Sequence, residues 1–271
     1  MRPIRDMNED IVRQINVVFA DIDDTITEDG RFPAQSYAAL EALSKAGIAV
    51  APVTGRPAGW CDMIARFWPV AGVVGENGAL YFAYNREARQ MRRVFAATQG
   101  ERQANRARLQ SLAERILVEV PGSAVAADQL YREADLAIDF CEDVSPLSAS
   151  SVARIEQLFA DAGAVAKVSS IHVNGWFGDY DKLTMCRRFA AEILGLDIDR
   201  ENARIIFVGD SPNDAPMFGF FKNSCGVANV HRFVGTLAAE PVYVAEATGA
   251  GGFVEIAERI LSVWRGGERA V

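Results

Sequence analysis

Apolar positions along the chain fall into two alternating rhythms. Val17-Val18-Phe19-Ala20 is a short run of β-formers, of the kind a sheet buries on both faces, and it ends in the polar cluster Asp21-Ile22-Asp23-Asp24-Thr25. Pro33 then suits a first helical turn, Tyr37, Leu40 and Leu43 recur at helical spacing, and Gly47 supplies the stop. The pattern repeats. Residues 48–53 read as a second buried strand, Arg56-Pro57 opens a helix carrying Trp60, Met63, Ile64 and Phe67, and residues 72–74 form a third short strand. Alternation of this kind predicts a parallel sheet covered by helices.

Near Ala79 the rhythm changes. Strand-like stretches at 80–84 and 91–95 precede a long helix over about 99–118. A strand at 136–140, a helix over about 148–162 and strands at 164–169 and 171–174 follow. Hairpins followed by helices mark an α+β unit. Strand-helix alternation resumes at Asp181, with Leu183, Cys186, Phe189, Ile193 and Leu194 on one helix that stops at Gly195, then a strand at 204–208. Weaker strands at 225–228 and 242–245 and a closing helix over 252–263 complete the chain. The expectation is an α/β fold: a doubly wound, mostly parallel sheet from residues 1–80 and 178–271, with an inserted α+β cap at 81–177. No fixed-period repeat or low-complexity tract is visible.

Composition narrows the function. Half of the 271 residues are apolar, enough for two cores, and 28 basic against 36 acidic residues leave a net charge of −8. That balance argues against a protein built to neutralise nucleic-acid phosphates or anionic lipid, and leaves small substrates open. No apolar run reaches the roughly 18–20 residues of a membrane span, and residues 1–16 lack the apolar segment of a signal peptide, so a cytoplasmic location is expected. Cys61, Cys141, Cys186 and Cys225 lie far apart with no Cys-x-x-Cys pair, and reduced, mostly buried thiols are expected. Oligomeric state has no signature here.

Ligands of an open parallel sheet bind at the carboxyl ends of its strands. Those positions carry Asp21 and Asp23, then Thr54-Gly55-Arg56, then Asp210 with Asn213 and Asp214. Four carboxylates at one sheet edge repel one another unless a cation sits among them, and an all-oxygen set suits Mg²⁺. Asp21 and Asp23, two apart at a strand end, face a common ligand while Ile22 turns to the core. One carboxylate can then attack an electrophile while the other gives a proton to the leaving group and later takes one from water. For a phosphoryl electrophile, Lys182, the Thr54 hydroxyl and the metal offset the negative charge. Asp24 faces away and suits a turn.

Four short motifs, in order, carry a resemblance: Asp21-Ile22-Asp23-Asp24-Thr25, Val53-Thr54-Gly55-Arg56, Lys182, and Gly209-Asp210-Ser211-Pro212-Asn213-Asp214. Together they resemble the haloacid dehalogenase superfamily of phosphotransferases. The cap position, between the second and third motifs, and the Gly75-Glu76-Asn77-Gly78-Ala79 segment resemble the subgroup of sucrose-phosphate, trehalose-phosphate and mannosyl-3-phosphoglycerate phosphatases and Cof-type sugar-phosphate phosphatases. Leu183 follows Lys182 where many relatives have glycine. The resemblance implies a Rossmann-like core in which Asp21 is the nucleophile and Asp23 the general acid and base. It implies that Thr54 and Lys182 hold the phosphoryl group, and that Lys182 also steadies Asp21. Mg²⁺ would be held by Asp21, Asp210, the backbone carbonyl of Asp23, and Asp214 directly or through water, with Asn213 ordering the last loop.

Substrate contacts are expected from Thr54, Gly55, Arg56 and Lys182 in the core and from His172 and Asn174 in the cap. For Arg56, pairing with a nearby acid is the alternative; for His172, an ordinary buried hydrogen bond. Seven arginines between Arg86 and Arg108, against Glu87 and Glu101, form either a solvated helix face or an anion-attracting surface. The function expected is Mg²⁺-dependent hydrolysis of a small phosphorylated metabolite, most simply a sugar phosphate, with no nucleic-acid or membrane partner. The rivals are a phosphomannomutase-like sugar phosphomutase, a carbon-halogen hydrolase and a non-catalytic sensor of a phosphorylated ligand.

Overall fold

The structure is a computed structural model and describes residues 1–263. The last eight positions of the expected 178–271 segment lie outside the described residues.

Thirteen strands form three sheets. In chain order they are β1 (Arg2–Pro3), β2 (Val17–Ala20), β3 (Ala49–Pro52), β4 (Val73–Gly75), β5 (Leu80–Asn85), β6 (Gln90–Phe95), β7 (Ala124–Val125), β8 (Leu136–Asp139), β9 (Val165–Val168), β10 (His172–Trp176), β11 (Ile205–Gly209), β12 (Asn223–Gly226) and β13 (Tyr243–Val244). The helices are α1 (Glu9–Val12), α2 (Ala34–Lys45), α3 (Ala58–Phe67), α4 (Gln99–Glu119), α5 (Ala149–Asp161), α6 (Lys182–Phe189), α7 (Ala215–Phe220) and α8 (Gly249–Ser262). No helix among the described residues is long and apolar enough to cross a membrane.

The largest sheet runs β1-β13-β12-β11-β2-β3, all parallel. Its strands β2, β3 and β11 are apolar throughout because helices cover both faces. Val18, Ala20, Val50, Ile206 and Val208 point into one layer with residues of α2, α3 and α8, while Val17, Phe19, Ala51, Ile205 and Phe207 point into the other with Met185, Phe189 and Phe218 of α6 and α7. This is the doubly wound core read from the sequence. Three cysteines are buried, Cys141 is partly exposed, and none forms a disulfide.

The antiparallel sheet β4-β5-β6 packs against this core. A bridge from Val53 to Val74 ties it to the strand-β3 edge, and Leu80 and Phe82 join one apolar layer while Tyr81 and Ala83 join the other. The hairpin expected to open the cap at residue 81 therefore packs by the same two-sided alternation as the parallel strands.

A third apolar cluster is separate. Leu109, Leu112 and Ile116 of α4 and Ile155, Leu158 and Phe159 of α5 pack on Leu136, Ile138 and Val173, one face of the sheet β7-β8-β10-β9. Period-two alternation turns Asp139, His172 and Asn174 to the opposite face. The chain leaves the core at Ala96, whose N–H donates to Ala79 O, and returns at Asp181-Lys182 beside Gly78.

Candidate active site

Strands β2 and β11 are neighbours in register, so the polar loops that follow them emerge side by side. Asp21 is fixed by its own N–H, which donates to Val208 O at 2.9 Å. Lys182, at the first turn of α6, donates to Asp21 Oδ1 at 2.8 Å and Asp214 Oδ1 at 2.9 Å. Asp214 Oδ2 accepts the N–H of Asp210 at 3.2 Å, and Thr25 donates to Asp210 Oδ1 at 3.3 Å. All three carboxylates are buried, and one oxygen from each lies within 4.8 Å of the others.

Like charges this close raise one another's pKa unless a cation intervenes. Burial, Asp214 and Asp23 push Asp21 up to about 7 against the pull of Lys182; burial, Asp214 and Asp21 raise Asp210 well above the carboxylate range. Lys182 is buried, which disfavours its charge, yet Asp21 and Asp214 hold it above the ordinary lysine value. One lysine facing three carboxylates leaves an excess of negative charge and hard oxygen donors only. That donor set fits Mg²⁺.

The linkage gives a testable sign. A carboxylate whose pKa is raised on folding contributes stability that is complete below its unfolded value, here 3.8, and lost as pH rises through about 7. With chelator present, the thermal midpoint is therefore expected to fall between pH 4 and pH 7, shifting by about 2–4 °C per kcal/mol. Mg²⁺ should raise it more at pH 8 than at pH 5. Calorimetry across that range checks this, and an equal Mg²⁺ effect at both pH values contradicts a carboxylate-lined site.

Asp23 stands apart from the trio. Arg56 holds its carboxylate in a forked grip, Nε to Oδ1 at 3.0 Å and Oδ2 at 3.1 Å and a terminal nitrogen to Oδ1 at 2.8 Å. Thr54 is wholly buried; its hydroxyl accepts the Arg56 N–H at 3.0 Å. Asp24 adopts a left-handed φ of 56°, and its N–H donates to Thr27 Oγ1, as a turn requires. Asn213 accepts from the Ser211 hydroxyl at 2.9 Å, within the last loop.

A cavity of about 20 Å³ lies above these groups, lined by Asp21, Asp23, Gly55, Arg56, Asp210 and Asn213 from below and by Ser169–Ile171, His172, Asn174 and Arg132 from above. The structure thus brings Asp21, Asp23, Gly55, Arg56, His172, Asn174, Asp210 and Asn213 to one cavity. Thr54 and Lys182 do not line it; Lys182 faces an adjoining cavity of about 50 Å³ with Asn77 and Asn213. Arg56, expected on a ligand, is instead taken up by acids: besides Asp23 it meets Glu142 at 3.0 Å and Asp128 at 3.7 Å. His172 Nε2 lies 2.9 Å from Glu142 Oε2, without an aligned hydrogen bond. Asn174 donates to Asp135 Oδ2 at 3.2 Å.

Arg132 and Glu142 escaped the sequence reading, and Glu76 and Asn77 entered it only within the segment 75–79, with no role given to either. Glu142 follows strand β8 of an antiparallel sheet, where the strand-end rule of parallel sheets gives no signal. Three successive N–H groups, of Cys141, Glu142 and Asp143, donate to Asp139 and shape the turn that presents it. Arg132 donates to Gly55 O at 2.9 Å and pairs with Asp128 and Asp135 at 3.0 Å. Glu76, at a left-handed φ of 45°, accepts the N–H groups of Ala58, Glu133, Ala134 and Asp135. No local pattern announces these partners. The arginine-rich stretch is mostly spent on local pairing: Arg92 with Glu192, Arg93 with Asp62, Arg102 and Arg106 with Glu133.

Residues 18–98, which hold the first two of the four motifs, match the family model of haloacid dehalogenase-like hydrolases. No curated protein matches the chain. Among solved structures, Thermoplasma acidophilum protein 0175 superposes with a TM-score of 0.69 at 18% identity, covering 91% of this chain and 98% of that one. A haloacid dehalogenase-like hydrolase from Bacteroides thetaiotaomicron gives 0.63 at 15% over 91% and 99%. The sucrose-phosphatase of Synechocystis, solved with sucrose and phosphate, gives 0.60 at 15% over 91% and 98%. At these identities the structural likenesses speak for the fold.

Proposed function

We propose that this chain, a haloacid dehalogenase-like hydrolase by its matched segment, is a Mg²⁺-dependent phosphatase of a small phosphorylated metabolite, most simply a sugar phosphate. The hydrolase match, with phosphatases among the fold neighbours, supports the phosphoric monoester hydrolase class. One observation carries the reading: Lys182 bridges Asp21 and Asp214 beside Asp210, with Asp23 two residues on under a cap.

Asp21 attacks phosphorus and the bond to the ester oxygen breaks, leaving an aspartyl phosphate. Asp23 gives its proton to the departing alkoxide, then takes one from the water that attacks the same phosphorus and frees Asp21. Arg56 holds Asp23 in place for both transfers. Lys182 orients Asp21 and favours its ionised form, and with the Thr54 hydroxyl offsets the phosphoryl charge. Asp21, Asp210, Asp214 and the Asp23 carbonyl would hold Mg²⁺, which supplies further positive charge to the transferring oxygens.

The 20 Å³ cavity has room for about one water molecule, so substrate enters with the cap displaced and is shut in when it returns. We infer a cap over about residues 97–177 with the hairpin of β5 and β6 in the core, a reading supported by the packing of that hairpin on both core layers.

The test is phosphate release from a broad panel of phosphorylated metabolites, with Mg²⁺ and with chelator. Metal-dependent release concentrated on a few sugar phosphates is the expected result. Turnover only with a sugar bisphosphate present would favour a mutase, and no release from any compound by folded protein would overturn the phosphatase reading.

A further inference from the structure

The buried apolar side chains of the inserted stretch form a cluster that shares no residue with the two core clusters. Polar contacts join the two units beside the catalytic cavity, and the densest set lies on residues 132–135. Glu76, wholly buried, spreads four N–H groups over its two oxygens: Oε1 accepts from Ala58 at 2.9 Å and Glu133 at 2.8 Å, and Oε2 from Ala134 at 2.7 Å and Asp135 at 3.3 Å. Three of these donors belong to the inserted stretch and one to the first turn of α3. Arg132, in the same loop, donates to Gly55 O at 2.9 Å. Glu76, Asn77 and Gly78 take φ of 45°, 54° and 101° in succession. Two adjoining non-glycine residues in the left-handed region persist only where the surroundings hold them, as in ligand clamps and switches.

The gripped loop also supplies part of the roof of the site. Asp135 pairs with Arg132 at 3.0 Å and accepts from Asn174 at 3.2 Å, and both Arg132 and Asn174 line the catalytic cavity. That cavity, about 20 Å³, has no room for a phosphate ester, so the roof must lift for substrate to enter. Hydrogen bonds between N–H groups and a carboxylate suit a contact made and broken in every cycle, because water takes over both partners on opening. From this geometry we propose that Glu76 is a positioning residue that acts as a latch: by gripping residues 133–135 it holds the inserted stretch closed and sets Arg132 and Asn174 over the site. The inference rests on the reading of residues 97–177 as a cap.

Native-state hydrogen exchange tests it. In the wild-type protein the amides of 133–135 are expected to be at least about tenfold less protected than those of β2 and β11, through an opening that leaves the core intact. Equal protection of the two sets would make the junction a permanent part of the core and overturn the inference. Glu76→Gln keeps the side chain's shape but sets an NH₂ group against two backbone N–H groups. It is expected to speed exchange at 133–135 by about a further tenfold with β2 and β11 unchanged, and to lower kcat/KM by about the same factor on the best substrate of the phosphate-release panel. Unchanged exchange at 133–135, or faster exchange spread evenly over β2 and β11 as a merely structural carboxylate would give, overturns the latch. Faster local exchange with kcat/KM unchanged overturns the positioning role. If the variant does not fold, the wild-type comparison decides. Release of phosphate from no compound counts against the phosphatase reading alone, and exchange then judges the latch.

Discussion

Asp21→Asn is expected to lower turnover by at least about 10⁴-fold, as removal of a covalent nucleophile does. The change scarcely alters shape, so loss of activity is not loss of fold. Lys182 keeps its partner Asp214 at 2.9 Å. Asp21 is also a carboxylate that burial, Asp214 and Asp23 push up to about 7, so above that pH its ionised form costs stability and the amide does not. The thermal midpoint of metal-free Asp21→Asn should therefore equal or exceed that of the wild type at pH 8. Phosphate release and calorimetry on the same preparation separate the two effects. Turnover near the wild-type rate would overturn the aspartyl-phosphate mechanism.

Gly78→Ala should be the most damaging single methyl group in the core. Gly78 has φ of +101°, where a side chain is strained, and a Cβ there would lie 2.0 Å from Asp181 O and 2.8 Å from Lys182 N. Backbone is in the way, so no rotamer change relieves the overlap. Strain and overpacking together are expected to cost about 3 kcal/mol or more. What must move is the start of α6, which carries Lys182, and a displacement near 1 Å at a catalytic group can cost about 10²-fold in rate. Gly100→Ala is the control, because a Cβ there meets nothing within 4 Å and α4 gains a better helix former. Denaturant melts of the two variants check this; a Gly78→Ala protein as stable as the wild type would show that the chain crossing at Asp181 is loose.

The parallel core was legible because its strands are buried on both faces and read as plain apolar runs, and because the loops after β2, β3 and β11 hold carboxylates, a threonine and glycines that no apolar layer explains. Cap residues His172 and Asn174 line the cavity from β10, on the face opposite Val173. The two-residue strands β1 and β7 are too short to show any period, and α7 contains Pro216. The packing of the hairpin of β5 and β6 on both core layers was not legible, because a local antiparallel pattern does not reveal what its sheet lies against. Arg56 and Glu142 are 86 positions apart, and the worth of each depends on the other. Pairings of that reach are properties of the packed molecule, not of any window of sequence.

The chain departs at Ala96, bonded to Ala79, and comes back at Asp181, pressed against Gly78, so the inserted stretch begins and ends at nearly one point. This bears on the order in which the protein is made. Strand β11 cannot pair with β2 until some 85 residues between those two points have been looped back, and closing a loose loop of that length costs about 4 kcal/mol of chain entropy. If the stretch folds first around its own apolar cluster, it delivers its two ends already side by side. The core then assembles as though its sequence were nearly continuous. On that order of events, the insertion that roofs the cavity in the folded protein serves, earlier, as a splint for the sheet beneath it.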